Sequence, residues 1–224
     1  MYDDGQVVFE GNSFVKKVTL NRPRKLNTLT LEMISEMEKG LEDYENDPQV
    51  KLVILKGNGK AFCAGGDIVA IYKFLIAVFM LARFKIVTEN TVFALPEGAV
   101  GSHVGGSYFL SRLPGYFGEY LGLTGARIDG AEMISCGLAT HFVLSKDLQL
   151  LENALDKLDS SDESAISQLI SEFIHKPNIK QHSAYSRLLN VNKCFSRETI
   201  EGILLALVRI IVQEWEYFES TFSD

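Results

Sequence analysis

The chain has 224 residues, of which 46% are hydrophobic and 23% charged, with 18 glycines and five prolines. That composition excludes a collagen-like repeat, a disulfide-stapled miniprotein and a disordered polyelectrolyte, and it leaves room for a sizeable core. Twenty-two Lys plus Arg against 29 Asp plus Glu give a formal charge of −7, which argues against general affinity for nucleic acid or anionic membranes. The three cysteines, Cys63, Cys136 and Cys194, fit neither a metal-ligand spacing nor an even-numbered disulfide framework, so the simplest expectation is an intracellular protein with reduced thiols and no metal site.

Met1-Tyr-Asp-Asp-Gly5 carries two acids and no apolar run, and the final Thr-Phe-Ser-Asp224 is no peroxisomal tripeptide, so no targeting signal is visible. Val7 to Phe9 and Phe14 to Leu20, joined around Gly11-Asn12, predict an opening β-hairpin. Arg22-Pro-Arg-Lys25 closes it as a basic turn. Thr30 is an N-cap candidate, after which Leu31, Ile34, Met37, Leu41 and Tyr44 fall on one helical face up to the Asn46-Asp47-Pro48 stop. Leu52-Val-Ile-Leu55 is short and continuously apolar, as in a parallel strand buried on both faces. Strand, helix and strand in that order predict a βαβ crossover.

Phe74 to Ala82 is apolar, but Lys73 and Arg83 bracket it at nine residues. A membrane-spanning helix needs about 20, so this stretch reads as core and no membrane partner is expected. Further on, Asp129-Gly-Ala-Glu132 has the form of a capping box, with Gly137 closing the helix before a strand at Thr140 to Val143. Leu151 to His175 is helical in pattern, with a break or second N-cap at Asp159-Ser-Ser-Asp-Glu163. From Ile200 to Phe218 a long helix carries a wide apolar stripe.

Two glycine-rich segments could carry chemistry. In Lys60-Ala-Phe-Cys-Ala-Gly-Gly-Asp-Ile68 a glycine pair stands where a strand gives way to the next element. It either presents backbone N–H groups to an anionic or oxyanionic ligand or makes a tight turn with Asp67 as N-cap. In Phe93-Ala-Leu-Pro-Glu-Gly-Ala-Val-Gly-Ser-His103 a carboxylate, Glu97, stands on a glycine-rich loop. It is either catalytic or merely solvated, and His103 is either a titrating group or incidental.

Taken together and in order, Asn21-Arg-Pro-Arg-Lys-Leu-Asn-Thr-Leu29, Lys60 to Ile68, Phe93-Ala-Leu-Pro-Glu97 and Gly105-Gly-Ser-Tyr-Phe-Leu-Ser-Arg-Leu-Pro-Gly115 resemble the crotonase (enoyl-CoA hydratase/isomerase) superfamily. Gly118 to Gly125 and Ala131 to His141 extend the likeness toward its plant-type 3-hydroxyisobutyryl-CoA hydrolase branch. The resemblance implies an α/β crotonase-like ββα spiral core at 1–145, shortened between about 69 and 84, with a helical C-terminal region at 146–224. It implies a thioesterase of valine breakdown whose acyl-CoA substrate brings its own CoA, with no separate cofactor. It also implies a mitochondrial or peroxisomal setting. Glu97 then matches the catalytic glutamate and Gly66 the first oxyanion N–H donor, while Lys25, Leu26, Ala64, Asp67 and Ile68 match positions lining the CoA site.

The sequence departs from this pattern in three places. Ile71-Tyr-Lys-Phe-Leu75 passes almost directly to Phe84-Lys-Ile-Val-Thr-Glu-Asn90, so at least one strand-and-helix unit of ~30 residues is absent and no second oxyanion donor can be assigned. His103 stands where the family places an aspartate, and it is kept as a weaker catalytic candidate. Beyond Glu201 the likeness fades into the amphipathic helix. These departures leave open a second reading, a catalytically weak CoA-binding protein that forms a homo-oligomer or pairs with a full-length relative. A third is an enoyl-CoA hydratase or isomerase, which the single matching glutamate disfavours.

Overall fold

The structure is a computed structural model that describes residues 5–66, 82–95, 106–158 and 162–222. Its contacts divide the chain into two compact units, Met1–Arg83 with Val143–His175, and Phe84–Phe142 with Lys176–Asp224.

In the first unit, β1 (Val7–Gly11) pairs antiparallel with β2 (Val15–Leu20), and β2 pairs parallel with β3 (Leu52–Gly57). The expected hairpin and crossover are both present. Asn12 makes the hairpin turn: its Oδ1 accepts from the backbone N–H groups of Phe14 and Val15, an Asx turn that a short polar side chain supplies locally. Helix α1 (Leu31–Asn46) starts at Thr30, whose side chain accepts from the Met33 N–H. Val7, Val18, Leu20, Leu29, Met33, Ile34 and Met37 form the core between sheet and helix.

Two expectations are corrected here. The buried face of α1 is Met33, Ile34 and Met37, whereas Leu31 and Leu41 are exposed. The strand expected to be buried on both faces is only half-buried, with Val53 exposed. Among the described residues β3 has one strand neighbour, β2.

Helices α5 (Leu148–Asp156) and α6 (Glu163–Ser171) belong to this unit, and Asp162 caps the second through the Ser164 N–H. The break expected at 159–163 therefore separates two helices. Lys17 of β2 lies 2.8 Å from Glu152 and 2.6 Å from Asp156, and Lys56 of β3 lies 2.6 Å from Glu152. Burial pushes the Glu152 carboxyl upward, but Lys17 and Lys56 outweigh it and leave it below the ordinary range. A depressed carboxyl stabilises the fold above its unfolded pKa, about 4.3, and that contribution is lost as pH falls through the folded value. Thermal melts between pH 6 and pH 3 should show an acid limb that Glu152→Gln flattens; an identical limb in the variant would remove Glu152 as its source.

The second unit holds two short ladders, β4 (Ile86–Val87) parallel to β7 (His141–Phe142) and β5 (Val92–Phe93) antiparallel to β6 (Ile128–Asp129). Of these only β7 is foreshadowed by the sequence, at 140–143, and it is shorter. The capping box is complete: in α4 (Gly130–Cys136) the Glu132 N–H donates to Asp129 Oδ1 and the Asp129 N–H donates to Glu132 Oε2. Glu132 is buried, and its Oε1 also accepts from the Tyr185 N–H.

Helices α2 (Gly106–Leu110), α3 (Phe117–Thr124), α7 (Leu188–Phe195) and α8 (Ile200–Phe222) complete the unit. Phe117 is fully buried, stacked on Tyr120 at 5.7 Å and edge-on to Tyr185 at 5.3 Å. The stripe on α8 divides: Ile203 is buried, while Ile200, Leu204 and Ile211 are exposed together with Leu205, Val208 and Val212. Among the described residues no helix is long and apolar enough to cross a membrane.

Candidate active site

The described part of the site lies in the first unit, where two loops meet. The first runs from the Pro23–Lys25 3-10 turn to Leu29, and the second from Asn58 to Gly66. Leu26 O accepts from the Ala64 N–H at 3.0 Å, and the Leu29 N–H donates to Gly65 O at 2.9 Å. Leu29 and Gly66 thereby form a parallel bridge. Four expected site residues, Lys25, Leu26, Ala64 and Gly66, are thus brought together on adjoining backbone. Asp67, Ile68, Glu97 and His103 lie outside the described residues.

The two glycines of this segment serve different needs. Gly65 has φ +113, a conformation that side-chain-bearing residues rarely adopt, and among the described residues a Cβ there would meet nothing within 4 Å. At Gly66 the constraint is space: a Cβ there would stand 2.5 Å from Leu29 O and 2.8 Å from Leu29 N. In this register Gly65 O carries the bond to Leu29, and among the described residues nothing accepts from the Gly66 N–H. A backbone N–H that no described residue engages is available to donate to an oxygen that gains negative charge.

On the same loops Leu26, Phe62 and Ala64 are exposed, as is Lys25, so both apolar and cationic groups are offered to solvent. Burial pushes the Cys63 thiol upward, and its Sγ donates to Gly65 O at 3.4 Å; a neutral thiol engaged in this way supports the loop and is a poor nucleophile. Among the described residues no group of three His, Cys, Asp or Glu side chains could hold a metal ion.

One residue went unremarked in the sequence. Asn27 is fully buried at the centre of these loops, in the left-handed region with φ +55. Its signal was slight, an Asn inside a turn, the residue type that enters that region most readily after glycine.

The profile of the enoyl-CoA hydratase/isomerase family matches residues 15–75 and 76–221. The chain belongs to this family. It is 45% identical to 3-hydroxyisobutyryl-CoA hydrolase 1 of Arabidopsis thaliana, over 96% of this chain and 68% of that protein. It is 34% identical to the mitochondrial 3-hydroxyisobutyryl-CoA hydrolase of Homo sapiens, over 89% of this chain and 64% of that one. Among solved structures it is similar to a carnitinyl-CoA dehydratase from Mycobacterium thermoresistibile, with a TM-score of 0.78 at 27% identity over 92% of this chain and 71% of that one.

The family assignment bears out the crotonase-like α/β fold. The match with the Arabidopsis hydrolase extends over 257 residues, more than the 224 of this whole chain, so residues of the relative face gaps here. The family profile is interrupted between residues 75 and 76, inside the stretch where the sequence passes directly from Leu75 toward Phe84.

Proposed function

We propose that this chain is an acyl-CoA thioester hydrolase that converts 3-hydroxyisobutyryl-CoA and water to 3-hydroxyisobutyrate and CoA, a step of valine breakdown. The observation that carries this reading is the 45% identity to a hydrolase of that name across 96% of the chain. The Gly66 N–H, unengaged among the described residues, supports it from the geometry.

In this reading CoA enters as part of the substrate and the reaction needs no other cofactor. Lys25, Leu26, Ala64, Asp67 and Ile68 line the CoA end. Glu97 either attacks the thioester carbonyl, expelling the CoA thiolate and leaving an acyl-glutamyl anhydride that water then hydrolyses to the free acid and Glu97, or takes a proton from a water that attacks the carbonyl directly; in both routes the C–S bond breaks and the sulfur takes up a proton. Gly66 donates to the carbonyl oxygen as charge develops there, and His103 is a weaker candidate for a polar contact to the reacting groups.

Purified protein should release free thiol from 3-hydroxyisobutyryl-CoA, and Glu97→Gln should abolish the release. Equal rates for the two proteins would sink the assignment of Glu97. The human relative is named as mitochondrial, and we place this chain in the same compartment; a tagged chain that co-fractionates with another organelle would refute that placement.

A second reading is favoured by the residues of the relative that face gaps here and by the exposed Leu204, Leu205, Val208, Ile211 and Val212 face of α8. It is a CoA-binding member with weak turnover that pairs through α8 with a second copy or a full-length relative. Sedimentation of wild type and Leu204→Glu/Val208→Glu, each alone and mixed with a full-length relative, decides the pairing: a wild type that stays monomeric in both settings would dismiss it.

A further inference from the structure

We propose that Asn27 is a positioning residue for the CoA site, one buried amide that holds both of its loops at the spacing the ligand requires. The inference rests on the reading of these loops as the CoA site, but its geometric half stands on the loops alone.

The amide is fully used. Asn27 Nδ2 donates to Asn58 O at 2.9 Å and to Ala61 O at 2.7 Å, and Oδ1 accepts from the Arg22 N–H at 2.8 Å. One side chain therefore ties the entry of the first loop to two carbonyls of the second. An Asn amide offers two donors and an acceptor, and with the side chain at 0% exposure water cannot replace them. Asp at this position would present a carboxylate oxygen to two carbonyl oxygens. Gln would carry its amide too far along, and only a residue tolerant of φ near +55 keeps the backbone turn.

The consequences reach the ligand-facing atoms. On one side of Asn27 lie Lys25 and Leu26; on the other, Leu29 bridges Gly66. The Leu26 O to Ala64 N and Leu29 N to Gly65 O bonds exist only while the two loops keep their separation. Asn27 touches no substrate atom in this scheme. It sets where the Gly66 N–H stands relative to the exposed Leu26 and Ala64, so it couples the acyl end of the site to the CoA end.

The test uses the full chain with three substitutions. Asn27→Asp reverses the donors, and Asn27→Gly removes the side chain while keeping the left-handed turn. Met37→Ala perturbs the same hydrophobic core away from the loops and matches them as a destabilised control. Calorimetric titration with CoA should show about tenfold weaker binding in both Asn27 variants and unchanged affinity in Met37→Ala. Amide exchange should show faster exchange at Ala64 and Leu29 in the Asn27 variants while the β1–β2 amides stay protected. Should Asn27→Asp not fold, Asn27→Gly carries both measurements. Retained protection at Ala64 and Leu29, or equal loss of CoA affinity in Met37→Ala, overturns the positioning role. A wild-type chain that does not bind CoA would refute the hydrolase reading and with it the CoA half of this proposal, and the exchange measurement would then decide only whether Asn27 holds the two loops together.

Discussion

Gly66→Ala is expected to lower kcat for thioester cleavage by about 100-fold or more, the effect of losing one oxyanion donor, and to raise KM by a smaller factor because Ala64 shifts with it. The variant keeps its N–H but cannot keep it in place. The added methyl would meet Leu29 O at 2.5 Å and Leu29 N at 2.8 Å, both backbone atoms of a residue buried in the core. Leu29 cannot yield without disturbing its packing against Met33 and Val18, so the 64–66 segment must move, and the Leu29 N–H to Gly65 O bond goes with it. Gly65→Ala makes the informative partner. Its methyl meets no described residue within 4 Å, and the expected cost is conformational, from φ +113, and falls on loop stability. Stopped assays of thiol release at saturating substrate separate kcat from KM; an undiminished kcat in Gly66→Ala would remove this N–H from the mechanism.

Phe117→Ala should be the most destabilising single truncation in the second unit, by about 3–5 kcal/mol for a buried aromatic ring. Phe117 has no exposed surface and contacts two rings directly, Tyr120 at 5.7 Å and Tyr185 at 5.3 Å. Tyr120 in turn lies edge-on to Phe195 of α7 at 5.4 Å. The ring therefore links α3, the Tyr185 turn and α7, and its removal leaves an unfilled void among stiff aromatic neighbours. Phe117→Leu fills part of the space and should cost less. Urea unfolding followed by aromatic circular dichroism reads both; a midpoint for Phe117→Ala within error of wild type would show that the cluster adds no stability.

Features that need only neighbouring residues were legible in the sequence. The Thr30 cap, the Asp129–Glu132 capping box and the hairpin at Gly11-Asn12 each join groups within four residues of one another, so the letters at those positions specify the contact. The glycine pair at 65–66 was also legible, as a place where backbone must approach something closely, although not what it approaches.

Burial was less legible. Leu31 and Met37 look alike in a periodic pattern, yet Met37 joins the core cluster and Leu31 is exposed, which only tertiary packing decides. The same holds for β3, whose apolar run reads as a strand covered on both faces, while its exposure depends on which strands lie beside it. On α8 the stripe covers both an inward and an outward face, and packing against α7 selects Ile203 for the inside.

By itself, then, the sequence determined the family, the βαβ opening and the helix caps, because ordered motifs and local hydrogen bonds are written in adjacent positions. Only the tertiary structure decided that Asn27 joins the two loops, through bonds to Asn58 and Ala61 that lie more than thirty residues away. It alone decided that the space at Gly66 is closed by the backbone of Leu29. Both are contacts between segments remote in the chain, fixed by how far apart the folded loops stand.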